Sequence, residues 1–232
     1  MVMQGLAKSR EQAGSLLMSG KVFVNQKRVE KSGQQVPIDS KIDLKGKTHP
    51  WVSRGGIKLE KAILEFNLNC ESVTALDIGA STGGFTDVLL ANGADKVYAV
   101  DVGYGQLDWK LRQDKRVIVK EKTNARFLTN QIITEPLDVI VCDASFISLK
   151  KVLPSGLKLL KNNGIIFFAT LNKTLKSFVL AIVGAEYILR WLPIGTHDWN
   201  KFIKPEELNS FLSQEKFSTL DISGLSFNPC LL

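Results

Sequence analysis

Cysteine is scarce. Cys70, Cys142 and Cys230 are the three in 232 residues, far apart and with no CxxC pair. That excludes a disulfide framework and a thiolate zinc site, and it predicts a reducing, cytoplasmic setting with no bound metal. The first ten residues lack the apolar core of a signal peptide. No clean apolar run is long enough for a comfortable membrane span. The best stretch, residues 177–194 (SFVLAIVGAEYILRWLPI), is broken by Glu186 and Arg190. It reads either as a buried or half-buried helix, or as a helix making a peripheral membrane contact with Arg190 and Trp191 near its end. Internal repeats and low-complexity segments are also absent, which excludes solenoid and disordered classes.

What is present fits an ordinary globular chain, 44% hydrophobic and 23% charged. The length suits one large domain and a small one. The net charge of +7 is unevenly placed. Residues 1–61 hold 12 Lys and Arg against 5 Asp and Glu, a surplus of 7, and the remainder is balanced at 18 of each. A basic field confined to the first quarter fits contact with a phosphate backbone, or else a solvated basic surface.

That first quarter reads as a helix followed by a hairpin. Ser9 and Gln12 have capping-box spacing, Gly20 fits a helix stop, and Val22-Phe23-Val24 and Val29 flank a turn at Asn25-Gln26-Lys27. A further strand is expected at Ile42-Asp43-Leu44. Residues 1–46 therefore form a small basic module. Residues 47–60, with Pro50 and Gly55-Gly56, read as a linker. From 61 to 232 strands alternate with helical stretches, after a helix over 58–66. The strands are expected at 74–78, 96–100, 116–119, 138–142 and 164–169. This pattern predicts an α/β domain with a parallel sheet covered on both faces.

One motif carries most of the chemistry. Leu76-Asp77-Ile78-Gly79-Ala80-Ser81-Thr82-Gly83-Gly84 is a strand running into a glycine-rich turn and then a helix. Ligands of open α/β sheets bind at such carboxyl ends. The next strand ends at Asp101, placed to accept hydrogen bonds from both ribose hydroxyls of an adenosine cofactor. The loop lacks the GxGxxG of a dinucleotide site, where pyrophosphate sits on a helix N-terminus. It has instead an acid, Asp77, which suits the positive ammonium and sulfonium of S-adenosylmethionine. The fourth strand ends at Asp143, facing the same edge. That carboxylate either orients a cationic base or substrate, or caps the following helix. Lys58 is either solvated or tuned to take a hydroxyl proton.

The segments WVSRGGIKLEKAI, LDIGASTGGFTD, AVDVGYGQLDWKLRQD, KTNARFL and CDASFISLKKVLP resemble the TlyA (hemolysin A) family in order and spacing, across residues 3–165. The resemblance implies an S4-like RNA-binding domain joined to an FtsJ-like, Rossmann-like methyltransferase. It further implies 2′-O-methylation of cytidine in 16S and 23S ribosomal RNA, with S-adenosylmethionine as methyl donor and ribosomal subunits as partners. Carried over by position, Lys58 and Asp143 match the first two members of a catalytic Lys-Asp-Lys-Glu set. Gly79, Ser81, Gly83 and Gly84 fall on the methionine-side loop, Asp101 on the ribose acid, and Asn124 with Ala125 on the adenine side. Lys8, Arg10, Lys21, Lys27 and Arg28 are the candidate RNA contacts of the basic module.

Residues from about 160 to 229 depart from that pattern. They resemble UbiG, the ubiquinone-biosynthesis O-methyltransferases, which implies activity on a polyprenylated phenol as the rival function. A non-enzymatic RNA-binding protein is the other alternative. The family's KPQFE is replaced by Thr170-Leu171-Asn172-Lys173, leaving Lys173 as an out-of-register candidate for the second catalytic lysine. A sixth strand is expected near 218–222, short of the partner strand both families use. His197, in Gly195-Thr196-His197-Asp198-Trp199, is either a structural loop histidine or part of the UbiG-like phenol site.

Overall fold

The computed structural model describes residues 1–232 apart from 8, 19–20, 26, 30–32, 38, 45–48, 144–148, 189–194, 196 and 225–232. The chain divides into two compact units, Met1–Pro50 and Trp51–Leu232.

In the first unit, helix α1 (Arg10–Met18) starts just after Ser9, whose carbonyl accepts the Ala13 N–H at 3.0 Å. Strands β1 (Val22–Val24), β2 (Lys27–Arg28) and β3 (Ile42–Leu44) form an antiparallel sheet in the order β2-β1-β3. The β1–β2 hairpin pairs Val24 with Lys27 across a two-residue turn, with Asn25 at φ 48°. The turn is one residue shorter than the sequence pattern suggests, because Lys27 is drawn into the ladder. Gly20, expected as the helix stop, lies outside the described residues.

The second unit is built on a five-stranded parallel sheet, β6-β5-β4-β7-β8. Its strands are β4 (Thr74–Ile78), β5 (Lys96–Val100), β6 (Val117–Lys120), β7 (Leu137–Asp143) and β8 (Leu160–Ala169). The two central runs, TALDI and KVYAV, are buried on both faces, which is why they read as nearly continuous apolar segments. Side chains alternate across the sheet. Ala75, Val97, Ala99, Val139 and Val141 pack on one side with Leu59, Phe85, Val88, Leu89 and Leu111. Leu76, Ile78, Tyr98, Val100 and Ile140 pack on the other with Val152, Leu153 and Leu157. The first side is covered by α2 (Gly55–Glu65), α3 (Gly84–Ala91) and α4 (Trp109–Arg112), the second by α5 (Leu149–Leu157).

Three expectations need correction. Gly55 to Glu60 are not linker: they are the first half of α2, and Trp51 onward belongs to the second unit. The glycine pair signals close helix packing here, since a Cβ on Gly56 would lie 2.7 Å from Trp51 and 3.0 Å from the Gly84 carbonyl. β8 begins at Leu160 rather than 164, because Leu160 pairs with Leu137 across a register shift. Residues 218–222 form no strand; they are exposed, and among the described residues none of the strands pairs with them.

Beyond β8 lie α6 (Leu175–Ser177) and a wide π-type helix, Phe178–Ile188. Asn172 bridges in parallel to Ile203, just before α7 (Pro205–Gln214). Among the described residues no helix is long and apolar enough to cross a membrane.

Candidate active site

The chain moves from β4 outward through β5 and β6, then returns to place β7 on the other side of β4. The carboxyl ends of these strands share one edge, and the crevice at such a reversal is where open α/β sheets take ligands. The loop after β4 turns sharply there. Gly79 and Ala80 both donate their N–H to the Val100 carbonyl, at 2.9 and 3.1 Å. Gly83, at φ 92°, caps α3, and a Cβ on it would lie 2.2 Å from Leu111 Cδ1. Both its conformation and its surroundings demand glycine.

Asp101 locks this loop to the next. Its Oδ2 accepts the Ser81 N–H at 2.8 Å and its Oδ1 the Gly103 N–H at 2.7 Å. At the end of β6, Asn124 Oδ1 accepts the Arg126 N–H at 3.1 Å and caps a 3₁₀ turn, Ala125–Phe127. A cofactor with a compact charged tail, a ribose and a base fits this edge. The loop from Gly79 to Gly84 presents mostly backbone, Asp101 offers a carboxylate to a diol, and Asn124 with Ala125 stands one strand further along.

Asp77 is placed differently from the simple expectation of an acid open to the ligand. It is 2% exposed, and its Oδ2 accepts both the backbone N–H and the hydroxyl of Thr86, at 3.0 and 2.7 Å. Burial pushes its carboxyl up to about 7; the Thr86 bonds pull it down, and the charges of Asp143 and Asp101 push it up further.

A lysine–carboxylate pair is formed by α2 and β7. Lys58 Nζ donates to Asp143 Oδ2 at 2.6 Å, with both side chains partly exposed. The pair sits beside the glycine loop because α2 and α3 nearly touch: a Cβ on Gly84 would lie 2.9 Å from the Gly56 nitrogen and 2.2 Å from Ser53 Oγ.

Lys173 does not join this pair. Its Nζ stands 5.7 Å from the centre of the Trp199 ring, and its charge is felt by Glu207. The expected RNA contacts are spread over the first unit: exposed Arg10 at the start of α1, Lys21 just before β1 and exposed Lys27 on β2. Arg28 is on β2, and Lys8 lies outside the described residues.

Sequence reasoning missed Thr86, the partner of Asp77. It also missed Glu186, read only as an interruption of an apolar run. Glu186 is 1% exposed and accepts the Gly195 N–H (2.6 Å), the His197 N–H (2.7 Å) and His197 Nδ1 (2.8 Å). A lone acid inside an apolar stretch was the available signal, since buried charges need partners.

Residues 51–206 match the FtsJ-like methyltransferase family, and residues 1–42 match the S4 domain. The chain belongs to the FtsJ-like methyltransferase family. Its cofactor is therefore S-adenosylmethionine. This FtsJ-like chain is 47% identical over 156 residues to the 16S/23S rRNA (cytidine-2′-O)-methyltransferase TlyA of Mycobacterium tuberculosis, covering 67% of the chain but 58% of that relative. It is 34% identical over 226 residues to a ubiquinone biosynthesis O-methyltransferase of Pelagibacter ubique, covering 88% and 89%. A solved structure of a Streptococcus thermophilus protein described as a hemolysin matches with 47% identity and a TM-score of 0.52, covering 71% of this chain and 61% of that one. The chain thus spans less than two thirds of the length of TlyA and of the solved relative.

Proposed function

We propose that this chain transfers a methyl group from S-adenosylmethionine to a ribose 2′-hydroxyl of cytidine in 16S and 23S ribosomal RNA, within ribosomal subunits in the cytoplasm. The observation that carries the reading is the Lys58–Asp143 pair, 2.6 Å apart beside the glycine loop. The TlyA relative, named for this reaction, and the N-terminal S4 domain support it.

S-adenosylmethionine supplies an electrophilic methyl group when bound. Gly79, Ser81, Gly83 and Gly84 hold its amino-acid end, with Asp77 behind them; Asp101 holds the ribose, and Asn124 with Ala125 the adenine. Arg10, Lys21, Lys27, Arg28 and Lys8 meet the RNA backbone, and Lys58 receives the target hydroxyl. The Lys58 amine would receive the hydroxyl proton as the oxygen–methyl bond forms and the sulfonium–methyl bond breaks, with S-adenosylhomocysteine as the leaving group. Asp143 favours the ammonium that results and fixes Nζ in place. Most of the acceleration comes from placing the two reactants together.

The test is transfer of labelled methyl from S-adenosylmethionine to purified ribosomal subunits, with Lys58→Ala as control. Label at a cytidine 2′-oxygen, lost in the variant, supports the reading. Absence of label with cofactor binding intact by calorimetry removes it and leaves an RNA-binding protein.

A second reading is favoured by the tail: O-methylation of a polyprenylated phenol, as the name of the Pelagibacter relative suggests. Val179, Leu180, Tyr187 and Ile188 are each exposed on the π-type helix, as a peripheral membrane contact would require, and Glu186 accepts from the His197 ring close by. Methyl transfer to such a phenol without RNA, and sedimentation with phospholipid vesicles, would support it.

A further inference from the structure

Asp87 lies in the first turn of α3 and is 4% exposed. Its two carboxylate oxygens are divided between separate parts of the fold. Oδ2 accepts the Val52 N–H at 3.0 Å, and Oδ1 accepts Lys110 Nζ at 3.0 Å. Val52 belongs to the short segment that leads into α2, the helix carrying Lys58. Lys110 lies on α4, directly after the loop that begins at Asp101.

Each arm is reinforced. On the α2 side, buried Trp51 is pressed against Gly56, Ser53 against Gly84, and the Gly56 N–H donates to the Ser53 carbonyl at 3.1 Å. On the α4 side, Asp108 N–H donates to the Thr82 carbonyl at 3.2 Å, Asp108 Oδ1 accepts the Lys110 N–H at 2.9 Å, and Leu111 fills the space beside Gly83. A buried carboxylate is retained only where its partners repay its desolvation, and both of these are specific. Each arm ends at a different half of the site: one at the catalytic amine, the other at the ribose acid.

Resting on the methyltransfer reading above, we infer that Asp87 is a positioning residue that holds the Lys58 helix and the Asp101 loop in one fixed relation through α3. The Val52 arm sets where Lys58 Nζ stands, and the Lys110 arm sets the cofactor loop. The two arms separate by mutation. Asp87→Asn keeps an acceptor for Val52 but loses the ion pair. Lys110→Met loses only the ion pair. Asp87→Ala loses both.

The experiment measures methyl transfer to ribosomal subunits, S-adenosylmethionine affinity by calorimetry and amide exchange along α2, all on the full chain. Asp87→Ala is expected to lower kcat by about tenfold or more with the KM for RNA unchanged, and to speed exchange at Val52 and the first turn of α2. Asp87→Asn and Lys110→Met are expected to keep kcat within about threefold while weakening cofactor binding by about three- to tenfold. An unchanged kcat in Asp87→Ala, an equal fall in Asp87→Asn, or a loss carried by KM for RNA overturns the inference. If Asp87→Ala does not fold, the other two variants decide: unaltered cofactor affinity in both is the contrary result. If the wild-type protein transfers no methyl group, the reaction reading fails, and unchanged α2 exchange in Asp87→Ala is what would sink the positioning role.

Discussion

Thr86 gives both its backbone N–H and its hydroxyl to one oxygen of Asp77, at 3.0 and 2.7 Å. The end of β4 is thereby tied to the first turn of α3, across the glycine loop. Burial nevertheless dominates and lifts the Asp77 carboxyl to about 7, from an ordinary value of 3.8. A raised carboxyl means that the folded protein holds a proton the unfolded chain has released. The associated stability is fully present below about pH 4 and is lost as pH rises through about 7, at up to roughly 1.4 kcal/mol per pH unit. Denaturant unfolding of the cofactor-free protein between pH 4 and 8 is expected to show this slope, and Asp77→Asn to remove most of it. A variant with an unchanged pH profile would disprove the assignment.

The glycine loop predicts a graded response to alanine. Gly83 has a positive φ and no room, with Leu111 Cδ1 2.2 Å and Leu107 Cδ1 2.8 Å from a Cβ. Gly105 also has a positive φ, 73°, but nothing within 4 Å. Gly105→Ala is expected to cost about 1 kcal/mol from conformation alone. Gly83→Ala adds overpacking of roughly 1–3 kcal/mol and displaces α4. Equal midpoints in urea for the two variants would show that the loop yields where the packing says it cannot.

The Glu186 contacts make the tail sensitive to acid. Burial raises the Glu186 carboxyl, but the His197 and Gly195 N–H groups and the His197 ring outweigh it, and the net displacement is downward. The stability it contributes is present above the ordinary glutamate value of 4.5 and is lost as pH falls through the lower folded value. Glu186→Gln keeps one acceptor oxygen and turns an amide toward donors. It is expected to lower Tm by about 4 °C or more at pH 7, and by less at pH 4. Thermal melts at the two pH values check this; an equal loss at both would mean that the charge is not what holds the tail.

The sheet was readable where apolar runs end in a chemically distinct residue. β4 and β5 match their expected bounds because each run stops at Gly79 or Asp101. β6 is displaced by one residue: Arg116 turns to Asp114, and only its carbonyl reaches Val97. The start of β8 was hidden because Lys161, Asn162 and Asn163 are polar and exposed, although their backbone continues the strand. Gly55-Gly56 misled for a more general reason. A glycine pair signals either a flexible linker or a close helix contact, and only the position of Gly84 opposite decides. Asp143 and Lys58 were each singled out, as a strand-end carboxylate and a lysine before the domain, and the resemblance joined them; their hydrogen bond depends on a separation of 85 residues that no local pattern encodes.

That hydrogen bond is expected to matter to rate and hardly at all to stability. The Lys58 and Asp143 side chains are 38% and 24% exposed, so water screens their attraction and the pair contributes about 1 kcal/mol or less to folding. In the proposed roles of proton acceptor and electrostatic support, the same two groups act where charge develops, and proton transfer by a placed side chain is worth about 10²–10⁴ in rate. Lys58→Met and Asp143→Asn are each expected to cut methyl transfer about 100-fold or more, with Tm within about 2 °C of wild type and cofactor affinity near normal. The double variant should be little worse than either single one, because two groups acting as a unit do not lose their contributions separately. Additive losses would mean that Lys58 and Asp143 act on different steps, and the shared role drawn from their 2.6 Å contact would have to be given up.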